Sequence, residues 1–216
     1  MTEAGRTMTL DLEIDIEAIA GPIDAETIFG RRAPLVVEIG TGNGTLLAWA
    51  AERRPEADFI GIERSGEFYN KTCKRIARAG LTNARCIRAE ADEVLERMPP
   101  GAIDEVVAYF SDPWPKRRHR ARRVFGPEFL VLLERSLRPG GSIVFRTDVG
   151  WYFNLTVGAL RRRPDWEIVE AGPAAAPDEA AGEVMTNFEG RARRDGTEIW
   201  ALKGVWRAGV DRPQKG

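Results

Sequence analysis

The chain has 216 residues, of which 43% are apolar, 8% aromatic and 30% charged, with a formal net charge of −1. That composition suits one globular domain with a full core and excludes a disordered, collagen-like or disulfide-scaffold protein. No run approaches the roughly 18 consecutive apolar residues of a membrane span, and no N-terminal stretch reads as a signal peptide. Cys73 and Cys86 fall in no metal-ligand or redox spacing, so a cytoplasmic protein with no membrane or metal partner is expected.

The near-zero total charge hides a segregation. Residues 1–30 hold seven acids and one base, whereas residues 111–123 hold six bases against Asp112. A concentrated charge matters more to a polyanion than the sum does.

In chain order, Leu10, Leu12, Ile14 and Ile16 alternate with acids, which indicates a strand with one acidic face or an extended arm. Asp24 is placed to cap a short helix ending at Gly30. From Pro34 onward short β-rich runs alternate with amphipathic stretches. Strands are expected at 35–39, 59–62, 84–87, 103–110, 142–146, 166–169 and 197–206. Helices are expected from the glycine-rich stretch to about 53, then at 67–79, 92–98, 127–137 and 151–162, with an Ala/Pro-rich mobile loop at 172–182. The alternation predicts an α/β fold: a mostly parallel, doubly wound, Rossmann-like sheet with helices on both faces. The division expected is an acidic arm over 1–30, one domain over 31–210 and a tail over 211–216.

Ligands of such sheets bind outside the carboxyl ends of the strands. The residues just past each run are therefore the ones to read. Gly40, Gly42 and Gly44 follow the first strand of the domain and open a helix, as a loop that lets a cofactor lie against bare backbone. Glu63 ends the next strand, where a carboxylate accepts from the two hydroxyls of a ribose. A dinucleotide and S-adenosylmethionine (SAM) are the competing ligands. Glu38, inside the strand ahead of the loop, would repel a pyrophosphate and suits the ammonium of a methionine moiety, so SAM is favoured.

The stretch 111–123 follows the strand at 103–110. Asp112 lies at its tip, Pro113 and Pro115 stiffen the backbone around Trp114, and Lys116 with the arginines through Arg123 supplies charge for phosphates. His119, the only histidine, reads as part of this cationic surface.

Glu38-Ile39-Gly40, Gly61-Ile62-Glu63, Asp112-Pro113-Trp114-Pro115-Lys116-Arg117-Arg118-His119, Arg122-Arg123, Thr147-Asp148 and Thr186-Asn187-Phe188-Glu189 stand in a fixed order. In that order and spacing the chain resembles the bacterial tRNA (guanine-N7-)-methyltransferases over about residues 34–206. The resemblance implies a class I SAM-dependent methyltransferase with a seven-stranded sheet. It implies methyl transfer to N7 of a guanosine in the tRNA variable loop, position 46. By the same resemblance SAM is held by Glu38, Glu63, Glu90 and Asp112, with Asp112 also the active-site acid. Substrate contacts fall on Lys116, Asp148, Thr186, Asn187, Phe188 and Glu189, the last four carried to the site by the loop before them. Glu90 stands where the family usually has Asp, and Asn187 where it usually has Lys. Methylation of a free purine-like metabolite is the alternative activity, and a non-catalytic RNA-binding protein the alternative class. Either a monomer or a homodimer fits the sequence.

Overall fold

A computed structural model describes residues 13–14, 16, 19, 21–114, 123–178 and 183–208. In chain order its elements are β1 (Glu13–Ile14), α1 (Ala25–Phe29), β2 (Leu35–Ile39), α2 (Thr45–Arg53), β3 (Asp58–Ile62), α3 (Gly66–Arg78), β4 (Ala84–Ile87) and α4 (Ala91–Arg97). There follow β5 (Ile103–Tyr109), α5 (Pro127–Ser136), β6 (Leu137–Thr147), α6 (Gly150–Arg161), β7 (Trp166–Pro173), α7 (Asn187–Arg194) and β8 (Trp200–Trp206).

The strands form one sheet in the order β1-β4-β3-β2-β5-β6-β8-β7. Pairing is parallel from β1 through β6, and β8 runs antiparallel to both β6 and β7. The expected seven strands are β2 to β8, and the two-residue β1 joins their edge by pairing Glu13 with Cys86 and Ile14 with Ile87. The chain beyond β1 is held by Arg97 at the end of α4, whose guanidinium donates to the carbonyls of Ile16, Ile19 and Gly21.

All five residues of β2 are buried, and so are all five of β3, as parallel strands covered on both faces require. Their side chains alternate between two cores. Val36 and Phe59 pack with Leu47, Ala48 and Ala51 of α2 and Tyr69, Cys73 and Ile76 of α3. Leu35, Val37, Ile39, Ile60 and Ile62 pack with Val94 and Leu95 of α4, Leu130 and Leu133 of α5, and Tyr152 and Leu160 of α6. Each fully buried aliphatic side chain contributes about 1.5–3 kcal/mol, so the sheet forms a rigid base for the loops at its edge.

Three elements depart from the sequence expectation. β6 starts at Leu137, because Leu137 pairs with Ile103 before residues 138–141 bulge opposite Asp104. β7 continues into the stretch expected to be a loop, since Gly172 and Pro173 pair with Ala201 and Trp200. α7 was not expected at all, and Thr186, read only as a motif residue, is its N-cap and accepts from the Glu189 amide at 3.1 Å. Asp24 does cap α1, accepting from Thr27 at 2.8 Å, and Gly30 closes that helix with φ +70°.

With β3 and β4 on one side of β2, and β5 and β6 on the other, the order in which strands are added reverses between β2 and β5. That switch point is where an open α/β sheet leaves a crevice.

Candidate active site

A cavity of about 500 Å³ occupies this position, within the 300–1,000 Å³ common for small-molecule sites. Its wall takes Gly40 and Gly42 after β2, Glu63 and Arg64 after β3, Glu90 and Asp92 after β4, and Ser111, Asp112 and Trp114 after β5. Phe68 of α3 and Phe188 of α7 complete it.

The glycine loop is organised by Glu63. One carboxylate oxygen accepts from the Gly42 amide and the other from the Ser65 amide, both at 2.9 Å. Glu63 is buried, so these two backbone donors fix the height of the loop over the cavity. Gly42 has φ +55°, and a Cβ there would come within 3.5 Å of the Phe188 ring. Gly44 packs against a helix. It lies outside the cavity wall, has φ +72°, and a Cβ on it would stand 2.9 Å from the backbone of Thr72. The third glycine lets the start of α2 approach α3 closely.

Glu38 is buried in β2 behind the cavity wall. Burial, and after it the charge of Glu63, pushes its carboxyl well above the usual carboxylate range.

The tip of β5 is strained. Phe110 and Trp114 adopt φ +54° and +43°, a region that L-residues with large side chains rarely enter. Between them the Ser111 hydroxyl is buried with no hydrogen-bond partner among the described residues. The turn is held by Arg123, which donates to the carbonyls of Pro113 at 3.1 Å and Trp114 at 2.8 Å. Arg123 was expected to bind phosphate, but its guanidinium is a staple for the Asp-Pro-Trp turn. Lys116, with 115 and 117–122, lies outside the described residues.

Asp112 is exposed on the rim, and Arg64 reaches it at 3.4 Å. The same guanidinium lies 3.7 Å from Glu90 and 5.1 Å from the Trp114 ring centre. Arg64 escaped the sequence reading, although its place directly after Glu63 at a strand tip was a signal. Glu90 heads α4, where its amide donates to Glu93 at 3.3 Å.

The remaining residues expected at the substrate divide. Phe188 is 54% exposed and stands in the cavity wall. Asn187 faces a neighbouring groove, and exposed Asp148 and the helix cap Thr186 lie outside the cavity wall. Glu189 has no exposed surface, and its oxygens accept from Arg146 at 3.1 Å and Arg193 at 2.7 Å. It ties α7 to β6, and Arg193 ties the same helix to the Ala175 carbonyl at 2.6 Å. The segment reaches the site through this buried anchor.

Among the described residues the wall carries the acids Glu63, Glu90, Asp92 and Asp112 against the one base Arg64. Such a crevice favours a cationic ligand with hydroxyl groups to donate.

Residues 32–202 match the family model described as "Putative methyltransferase". A tRNA (guanine-N(7)-)-methyltransferase of Leifsonia xyli subsp. xyli is 37% identical over 189 residues, covering 87% of this chain and 83% of that one. One from Paracidovorax citrulli is 36% identical over 208 residues, covering 92% and 82%. Among solved structures, the 16S rRNA methyltransferase KamB superposes with a TM-score of 0.61 at 20% identity, over 84% of this chain and 92% of that one, which shows a shared fold. No helix among the described residues is long and apolar enough to cross a membrane. On the family match and the identity over most of its length, the chain belongs to the tRNA (guanine-N7-)-methyltransferase family.

Proposed function

We propose that the protein transfers a methyl group from SAM to N7 of a guanosine in tRNA, at position 46 of the variable loop, and does so in the cytoplasm. The observation that carries this reading is the acid-lined cavity at the switch point with Asp112, on its strained turn, at the rim. The named relatives support the choice of substrate.

The residues present fit SAM. The acids match its positive charge, and Glu63 keeps lone pairs for ribose hydroxyls beyond those used by the loop. In this reading Gly40, Gly42, Glu63, Glu90 and Asp112 hold it, and Glu38 adds negative potential from behind the loop. When bound, SAM supplies an electrophilic methyl group on a sulfonium centre.

Guanine N7 offers an in-plane lone pair and carries no proton, so the chain needs no general base. Its residues work by placement and electrostatics. The purine gains positive charge as its N7 is methylated. The Asp112 carboxylate opposes that charge more strongly in the transition state than in the ground state, which is the condition for raising the rate. Phe188, exposed at the edge of the cavity, offers a face on which the base stacks.

Incubation with radiolabelled SAM and unmodified tRNA, followed by nucleoside mapping, tests the reading. Label in N7-methylguanosine is expected. Label found only on free purines would establish the metabolite alternative and overturn it.

A further inference from the structure

Beside the cavity lies a second depression, of about 780 Å³, between α3 and α7. α3 lines it with Lys71, Lys74, Arg75 and Arg78, at the spacing i, i+3, i+4, i+7 that places side chains on one stripe of a helix. α7 adds Arg191 from the opposite side. The lining contains five bases and no acid among the described residues. Cations near the end of α3 also complement its macrodipole, but that effect calls for no matching cation on a second helix.

Three of the bases are partly committed, Arg191 among them through Asp195 at 3.8 Å. Lys71 contacts Glu67 at 2.6 Å, and Arg75 donates to the Asn43 carbonyl at 2.9 Å. Lys74 and Arg78 are exposed and take part in no ion pair among the described residues. The groove is continuous with the cavity, because Phe68 and Phe188 line both.

We propose that this groove carries the sugar-phosphate backbone of the RNA strand that leads to the cavity, on the cationic stripe of α3 and Arg191 of α7. The proposal rests on the RNA reading above. A small purine would have no phosphates to lay along α3, whereas a strand whose base sits by Phe188 must continue past the rim. Stripe spacing, a run of like charge and an aromatic at the junction are the elements of a single-strand binding groove.

The test is Lys74→Gln combined with Arg78→Gln, compared with the wild-type chain. SAM affinity by calorimetry and the thermal midpoint are expected to stay unchanged, which reports an intact fold. Affinity for unmodified tRNA, by fluorescence anisotropy, is expected to fall about tenfold, and the slope of log Kd against log salt to lose about 1.5, for two phosphate contacts. Unchanged affinity and slope in the folded double variant would overturn the groove while leaving the methyltransferase reading intact. A wild-type chain that neither binds nor methylates tRNA would overturn both. If the double variant misfolds, Lys74→Gln alone is read in the same way, with half the change in slope.

Discussion

The cavity and the groove share Phe68 and Phe188 in their walls, yet among the described residues one presents four acids to one base and the other five bases to no acid. Their backbone construction differs just as much. The cavity is assembled from loops at four strand tips, with two left-handed non-glycine residues at one of them, while the α3 side of the groove is regular helix. A cavity that must hold a small cation needs acids converging from several elements, which only loops at a sheet edge provide. A polyanion needs like charges repeated along a line, which one helix stripe provides. Opposite potentials so close together let one molecule hold a cationic donor and an anionic acceptor without either competing for the other's place.

The strongest way to break this comparison is at the rim. Asp112→Asn removes the charge and keeps the shape. Single-turnover rates are expected to fall about 100- to 1,000-fold, roughly 2.7–4 kcal/mol of transition-state stabilisation, while SAM affinity changes only a few-fold. Equal losses in rate and affinity would reassign Asp112 to cofactor binding alone.

Next comes the anchor that sets Phe188 between the two regions. Glu189→Gln leaves Arg146 and Arg193 without their buried carboxylate, and both arginines are about three-quarters buried. Loss of about 2–3 kcal/mol is expected, since breaking a buried pair costs more than the pair contributes, and urea unfolding measures it. A change under about 0.5 kcal/mol would mean that α7 is held by its other contacts.

Glu38 sharpens the comparison through pH. Its folded-state carboxyl titrates above the ordinary value of about 4.3, so across that window the native chain holds a proton that the unfolded chain has released. Stability therefore falls as pH rises through the window. A cationic ligand reverses the preference, so SAM affinity should rise with pH over the same interval and binding should release a proton. Glu38→Gln should flatten both profiles, as followed by calorimetry in buffers of different ionisation enthalpy. Profiles unaltered by that substitution would remove Glu38 from cofactor binding.

The smallest effect is expected at Arg64. Arg64→Ala removes the one base among the described wall residues, and its ion pairs with Glu90 and Asp112 are long and solvated, so stability should move by less than about 1 kcal/mol. SAM affinity should rise a few-fold as the two carboxylates lose a competing cation. A fall would show that Arg64 contacts the cofactor instead.

Much of the cavity was legible because its signals are local. A glycine turn after an apolar run, an acid one strand later and Asp-Pro-Trp at a strand end each occupy a few consecutive residues. α7 was illegible for the opposite reason. Its largest buried side chain is a glutamate, neutralised by Arg146 some forty residues earlier, with only Gly190 and Ala192 buried beside it, so no apolar periodicity marks it. Gly44 and Arg123 were visible as residue types, but their use against Thr72 and the Trp114 carbonyl depends on what folding brings beside them.

The sequence alone determined the β–α alternation, the loops that end each strand and the segregation of charge, because periodicity, turn chemistry and side-chain type are written residue by residue. Only the tertiary structure decided that β8 enters the sheet antiparallel between β6 and β7, that Glu189 faces inward and that Arg191 stands across from the α3 stripe. Those facts depend on contacts between distant segments, whose energies come from burial and long-range pairing, and no window of neighbouring residues contains both partners.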